Sequence, residues 1–255
     1  MKFKAAILAA LLFPALLAPS AARAAGGPNQ ALFFSANQDY KNGDFPAAAK
    51  KYEELIRSGT AGGDVHYNLG NTYFRMNRLG DAILQYERAR LSMPRDRDLA
   101  FNLAFALDKR ADSTDAEDAG GVSLGGFLDN FTDREIFWFF AAVNALFFPA
   151  LALRLRIRRE WTYYLAAALG IAWISAGFFA CVKEWNVRTD RTCVVTAQKT
   201  AVRSGPSPQE TVLFELHAGT LVESERTESG FRLVHLSADK RGWVPVSTVE
   251  PIRQT

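Results

Sequence analysis

The sequence contains little cysteine and little histidine, with two and three residues respectively in a chain of 255. So few thiols and imidazoles exclude a disulfide framework and a histidine-rich metal site. Charge of one sign is also scarce: the formal charge of +3 comes from Lys2, Lys4 and Arg23, and the chain after Ala24 is formally neutral. A nucleic-acid-binding protein is therefore not indicated.

Catalytic signatures are equally sparse. The histidines are scattered along the chain, and it contains neither a His-Glu-x-x-His pair nor a phosphate-binding loop. Cys181 and Cys193 would have to converge with distant histidines to build a Cys–His site. We therefore expect no enzymatic activity, no cofactor and no metal.

An internal repeat with a period of about 34 residues is the strongest positive signal. The segment 67–70, Tyr-Asn-Leu-Gly, aligns with 101–104, Phe-Asn-Leu-Ala, and Ala82 and Tyr86 align with Ala48 and Tyr52. The small residues allow two helices to approach closely, and the bulky neighbours fill the space beside them. The period predicts stacked helix-turn-helix units, in preference to a single hairpin with an unrelated apolar stripe.

In these residues the sequence resembles the tetratricopeptide repeat (TPR) family. The match is strong over residues 63–96, with Leu69, Gly70, Tyr73, Ala82, Tyr86, Ala89 and Pro94 at its small, bulky and turn positions. Residues 29–62 form a weaker copy, in which Asp39 takes the place of Tyr73, and residues 97–110 supply a capping helix. The resemblance implies an α-helical TPR solenoid over residues 29–110.

The resemblance also implies a peptide-binding face built from the first helices of the repeats. Its candidate residues are Asn37, Tyr67, Asn68, Asn71, Phe101 and Asn102, with Phe33 beside them. Phe33, Asp98 and Asn102 stand where carboxylate-gripping relatives carry basic groups, so we expect an internal or neutral-to-basic segment in the groove. The alternative is that the asparagines only form hydrogen bonds within the stack.

The N-terminal segment 1–24 has the pattern of an export signal. A basic start, MKFK, precedes an apolar stretch and then Ala22-Arg23-Ala24, which places small residues where a signal peptidase reads. An uncleaved anchor is the alternative, but the stretch is short for a membrane span and Pro14 interrupts it. Both interpretations export the repeats from the cytoplasm.

Two apolar runs after the repeats predict a transmembrane helical hairpin. An acidic, glycine-rich linker (111–134) precedes runs at 136–153 and 161–182, and the loop between them (154–160) carries four arginines. The arginines favour a cytoplasmic loop, so the segments on either side of the hairpin should both lie outside the cytoplasm. Asn144 is a candidate interhelical hydrogen bonder, and the small residues of the second run suit helix packing.

The C-terminal residues 192–252 change to short β-prone runs separated by Gly205-Pro206, residues 217–219 and Gly230. AVRSGPS (201–207) and the runs after it resemble the bacterial SH3-like domain, which implies a small all-β barrel. Arg203, Phe231 and Trp243 are candidates for a groove that contacts peptide or glycan. For Trp243 the alternative is a place in the core.

The order of signal, TPR, two spans and SH3-like domain resembles the BatE proteins of the Bat aerotolerance family. This resemblance implies a multidomain inner-membrane scaffold of bacteria with periplasmic TPR and SH3-like modules, linked to stress tolerance. Its implied partners are Bat membrane proteins with von Willebrand A-type domains and, indirectly, a MoxR-type AAA ATPase. The alternative is a peptidoglycan-binding protein or envelope-stress sensor.

Overall fold

The computed structural model describes residues 28–60, 62–112, 124–237 and 239–253. The expected export signal (1–24) and residues 113–123 of the expected linker lie outside the described residues. The chain divides into two compact units. One contains the helices of residues 124–188, and the other contains the repeats together with the C-terminal strands.

Five helices form the repeat region: α1 (Pro28–Asn42), α2 (Phe45–Arg57), α3 (Gly63–Arg75), α4 (Leu79–Ser92) and α5 (Arg97–Asp108). Gly43 and Asn77, which occupy equivalent positions of the two repeats, follow the first helix of each pair with φ values of +82° and +59°. Gly and Asn tolerate this left-handed conformation best, so both pairs turn at the same position. The Asp44 carboxylate caps α2 by accepting a hydrogen bond from the Ala47 backbone.

Small residues mark the closest approach of the helices, as the period predicts. Ala36, Ala48 and Ala82 are fully buried. A Cβ added to Gly70 would lie only 2.6 Å from the ring of Tyr86, so a larger residue at this position would force the two helices apart.

Asp39, which replaces the aromatic residue of the stronger repeat, forms polar contacts where Tyr73 makes packing contacts. Its carboxylate forms a 2.6 Å ion pair with Lys51. Lys51 also donates a hydrogen bond of 2.6 Å to the Ser35 hydroxyl. The helices of the weaker repeat therefore stay connected where Tyr73 packs in the other copy.

The C-terminal residues form seven strands: β1 (Thr192–Val195), β2 (Lys199–Arg203), β3 (Val212–His217), β4 (Leu221–Glu228), β5 (Phe231–Ser237), β6 (Lys240–Pro245) and β7 (Val249–Pro251). All pairings are antiparallel, in the order β3-β2-β6-β5-β4-β1-β7. In the described residues β3 and β7 are edges that do not pair with each other, so the sheet is open where a barrel was expected. A buried cluster nevertheless takes residues from every strand: Cys193, Val195, Val202, Leu216, Val222, Val234, Val244 and Val249.

The sheet packs against the repeat region through α4. Val194 and Ile252 belong to the same hydrophobic cluster as the buried residues of the repeats. Arg88, which is 8% exposed, donates hydrogen bonds to the carbonyl oxygens of Pro251 (2.9 Å) and Ile252 (3.3 Å) and pairs with Glu250. Burial lowers the pKa of Arg88, and the Glu250 carboxylate partly offsets this effect. Repeats and sheet therefore form one unit.

Asp112 adds a second connection between repeats and sheet. Its carboxylate accepts hydrogen bonds from the His217 backbone N–H (2.7 Å) and the Thr220 hydroxyl (2.9 Å), and it lies 3.1 Å from His217 Nδ1. Burial raises the pKa of Asp112, but the bonds from His217 and Thr220 outweigh burial and hold it below its usual value. The expected linker start at residue 111 is thus corrected: Asp112 is still attached to the folded unit.

The other unit contains α6 (Leu124–Leu128), α7 (Asp133–Arg156) and α8 (Glu160–Thr189). By length and composition, α7 and α8 are able to cross a membrane, and only 11% and 6% of their most apolar stretches are buried in the described structure. The core helix of a soluble protein is mostly buried, and these two helices are not. The Thr132–Glu135 capping box begins α7 inside the expected linker.

Large side chains of α7 meet small positions of α8. The predicted interhelical bond of Asn144 is confirmed, because the Trp173 indole donates to its Oδ1 at 2.9 Å. A Cβ added to Gly170 would lie 3.4 Å from the Phe147 ring. Ala168 and Ala172, by contrast, are exposed, so the predicted small-residue stripe serves the hairpin only in part.

Candidate functional site: the asparagine face of the repeats

Two hydrogen-bonded triads, one repeat period apart, line the face formed by the first helices α1, α3 and α5. In the first, Asn37 Oδ1 accepts from the Tyr52 hydroxyl (2.5 Å) and from Asn68 Nδ2 (3.1 Å). In the second, Asn71 Oδ1 accepts from the hydroxyl of Tyr86 (2.8 Å) and from Asn102 Nδ2 (2.9 Å). The structure therefore brings the four predicted asparagines together, and it uses one end of each amide within the stack.

The other ends of these amides make no hydrogen bond among the described residues. Asn37 and Asn71 keep their Nδ2 donors, whereas Asn68 and Asn102 keep their Oδ1 acceptors. All four side chains are half-buried. Alternating donors and acceptors match the backbone of an extended peptide, which offers one N–H and one C=O per residue.

Buried tyrosines fix the orientation of the amides. Burial raises the pKa of both Tyr52 and Tyr86 well above the usual value. Their hydroxyls therefore stay protonated and donate, which assigns the accepting Oδ1 atom to Asn37 and Asn71. The Nδ2 groups of Asn37 and Asn71, which are the donors available to a peptide, therefore point away from the bonds to the tyrosines.

The predicted aromatic residues of this face have different environments. The Tyr67 hydroxyl accepts a hydrogen bond of 2.9 Å from Asn102 Nδ2, so this ring is tied into the stack. Phe101, its equivalent in the capping helix, is 70% exposed. A capping helix normally presents a polar outer face, so the exposed Phe101 ring is a candidate contact residue.

A cavity of about 320 Å³ opens between these elements, and four of its eight lining residues were not predicted from the sequence. It is lined by Tyr40, Asn71, Phe74, Arg75, Tyr86, Phe101, Asn102 and Phe105. Phe105 packs against Phe74 and Phe101, with centroid distances of 5.7 and 6.5 Å. The repeat period could have identified some of the missing residues. It places Phe105 at the position equivalent to Asn71, a predicted groove residue, and it aligns Tyr40 with Phe74. We call this cavity and the four asparagines the groove.

The three residues proposed for a second groove, in the sheet, are less accessible. Phe231 and Trp243 are 9% and 6% exposed and form a small cluster with Leu233, apart from the main sheet core. Arg203 lies opposite Trp243 in the neighbouring strand and donates a 2.8 Å hydrogen bond to the Glu210 carbonyl. A peptide or glycan contact here stays a prediction, and it would need the rings to become more exposed.

The three histidines are engaged in structural contacts. His66 Nδ1 lies 2.7 Å from Gln85 Oε1, and burial lowers the pKa of its imidazole. His217 contacts Asp112, and His235 contacts Glu223 at 3.0 Å. The chain does contain one Gly-x-Ser-x-Gly sequence, at 121–125, but its serine lies outside the described residues and in a glycine-rich segment. The short motif alone carries no catalytic assignment.

Comparison with known proteins supports the repeat assignment. A tetratricopeptide repeat family model matches residues 35–96 and, in a second overlapping match, residues 67–120. No curated protein and no solved structure matches the chain significantly. The helical region is thus similar to tetratricopeptide repeats, whose common role is protein–protein interaction.

Proposed function

We propose that this protein is a membrane-anchored scaffold whose groove binds an extended segment of a protein partner. The observation that carries the proposal is the pair of asparagine triads, which leave amide donors and acceptors free beside exposed aromatic rings. Such a surface offers both backbone hydrogen bonds and a side-chain anchor.

The packing of the sheet on the repeats supports the proposed topology. Arg88, before α7, contacts Ile252, after α8, which supports a topology with both segments on the same side of a membrane that these two helices cross. The arginine-rich loop favours the cytoplasm for the turn between them. We therefore place both modules in the bacterial periplasm, anchored in the inner membrane.

The partner class in this proposal comes from the resemblance to the Bat family. The C-terminal sheet is a bacterial SH3-like domain in this interpretation, and the groove assembles a complex with von Willebrand A-type Bat membrane proteins. A MoxR-type AAA ATPase would act on this complex indirectly. The short repeat stack, two pairs and a capping helix, suits a single segment of one partner.

The alternative, an envelope-stress sensor that binds peptidoglycan through the sheet, has weaker support. Stacking on a sugar requires an open aromatic face, and the rings of Phe231 and Trp243 are nearly covered. The guanidinium of Arg226 lies 5.3 Å from the centre of the Trp243 ring. The groove in the repeats is the more accessible surface.

Photo-crosslinking in cells tests the proposal. A benzoylphenylalanine at position 101 places the reactive ketone on the groove with little change in shape, and the same residue at Lys50, exposed on α2, is the matched control. We expect a discrete protein adduct from position 101 that is absent from position 50. Equal adducts from both positions, or none from either, contradict groove binding.

A further inference from the structure

Three basic residues recur with the period of the repeat beside the groove. Lys41, Arg75 and Lys109 stand at equivalent positions of the successive repeats, and each lies at the C-terminal end of a first helix. All three are exposed. In the described part of the chain none of them has a carboxylate within ion-pair distance. Even Asp108, the residue next to Lys109, does not pair with it.

Two of the three basic residues lie over aromatic rings, and one of these rings, Phe105, lines the groove. The Lys109 ammonium lies 4.7 Å from the centre of the Phe105 ring, and the Arg75 guanidinium lies 4.8 Å from that of Phe45. Arg75 also lines the cavity directly, and Phe105 packs on Phe74 there. Uncompensated positive charge therefore borders the exposed rings on one side.

The helix dipole alone accounts for only part of this arrangement. A cation at a helix C-terminus is favourable, so any one of the three is ordinary for its position. The dipole does not explain why the row borders exposed aromatic rings, nor why the capping helix carries Phe101 and Phe105 on its open face. A ligand that supplies both an apolar side chain and negative charge accounts for all these features.

We propose that the groove selects an acidic segment of a partner protein, with a large apolar or aromatic residue that enters the cavity between Phe74, Phe101 and Phe105. This inference rests on the proposed function and specifies the ligand. Carboxylates on either side of the anchor pair with Arg75 and Lys109, and those further along the segment pair with Lys41.

This proposal is compatible with the expected internal segment, and it replaces the other expectation, a neutral-to-basic segment, with an acidic one. The sequence expectation considered positions 33, 98 and 102, where carboxylate-gripping relatives carry their basic groups. In this chain the basic row lies elsewhere, at the ends of the helices, and only the structure places Arg75 and Lys109 beside the cavity.

Three synthetic peptides test the ligand class on the full chain in nanodiscs of neutral phosphatidylcholine. The first has a central Phe flanked by Asp and Glu; the second replaces these with Asn and Gln, and the third with Lys. Fluorescence anisotropy should show the acidic peptide binding about tenfold or more tightly than the other two, as expected for several charge contacts. The double variant Arg75→Glu, Lys109→Glu should remove this preference, while the equally charged Lys50→Glu, Lys240→Glu should keep it.

The outcomes separate this inference from the proposed function. Equal binding of the acidic and amide peptides overturns the charge preference, yet leaves peptide binding intact if Phe105→Ala weakens both. Failure of all three peptides to bind overturns the inference, and the crosslink from position 101 then decides the proposed function alone. If Asp115→Asn, Glu117→Gln, Asp118→Asn tightens binding of the acidic peptide tenfold, the linker of this chain is the resident occupant, and the external partner is wrong.

Discussion

Gly80 in α4 lies directly against the backbone of Val195 in β1. A Cβ added to Gly80 would overlap the Val195 carbonyl oxygen and would lie 2.9 Å from the Thr196 Cα. Backbone atoms cannot swing aside as a flexible side chain can. The absence of a side chain at one helical position therefore permits the repeats and the sheet to share a core.

Gly80→Ala should destabilise the protein even though alanine favours helix formation. In an uncontacted helix the change would stabilise by up to about 1 kcal/mol, whereas overpacking against backbone costs about 1 to 3 kcal/mol. Thermal unfolding of the full chain in detergent, followed by circular dichroism, should show a lower midpoint. Gly62→Ala is the control, because a Cβ there meets only the side chain of Asp64. An unchanged or higher midpoint for Gly80→Ala would argue against the close contact.

Asn71→Asp and Asn102→Asp should separate binding from structure. Aspartate at 71 keeps the oxygen that accepts from Tyr86 and Asn102 but loses the outward Nδ2 donors, so we expect weaker partner capture with little change in unfolding temperature. Aspartate at 102 loses the donor to Asn71 and Tyr67, and it should cost about 1 to 3 kcal/mol of stability. Crosslinking yield from position 101 and thermal unfolding measure the two effects. Identical behaviour of the two variants would refute this division of labour.

Asp112→Asn should reduce stability in a pH-dependent manner. The folded pKa of Asp112 is held below its ordinary value, so its contribution is complete above the ordinary pKa of about 3.9 and is lost as pH falls through the folded value. The gap in unfolding temperature between wild type and variant should be present at pH 6 and should narrow as the pH falls below about 4 towards the folded pKa. Asp108→Asn, at an exposed carboxylate, is the control. A gap that does not narrow as the pH falls would mean that the lost geometry, and not the charge, matters.

Cysteine accessibility should give the topology. Single cysteines at Lys50 and Glu228, in a background with Cys181→Ala, should react with a membrane-impermeant maleimide in intact cells of a Gram-negative host with a permeabilised outer membrane. A cysteine at Arg158 should react only after the inner membrane is disrupted, because the arginine-rich loop favours the cytoplasm. Cys193 is 1% exposed and provides the unreactive internal reference. Labelling of the cysteine at position 228 only after lysis would contradict the proposal that both modules share a compartment.

The repeats and the hairpin were predictable because each depends on local patterns. The repeat period identified Gly70, Tyr86 and the asparagines, and apolar length identified the two long helices. The sheet was harder: β2 (Lys199–Arg203) ends in charged residues and β7 (Val249–Pro251) is very short, so neither has a readable alternation.

Contacts between segments that are distant in sequence could not be predicted. Arg88 reads as a polar position of a repeat helix, and nothing local indicates that its guanidinium is buried against Ile252. The same holds for Asp112 and His217, which are 105 residues apart. Charge and spacing predict the structure of a single segment. The partners of Arg88 and Asp112 depend on how the repeats and the sheet pack together in the folded chain.

The contact between Arg88 and Ile252 also constrains how the molecule is made. Its two residues are 164 positions apart, which at ordinary rates of translation means a delay of roughly 10 to 30 s between their synthesis. During that interval both apolar helices are synthesised and, in the proposed topology, inserted in the membrane, while Ile83 and its neighbours on α4 are not yet covered by the sheet. In the proposed topology the repeats are thus the first part to be exported and among the last to be completed, so a chain truncated within the final strands should be cleared by envelope proteases.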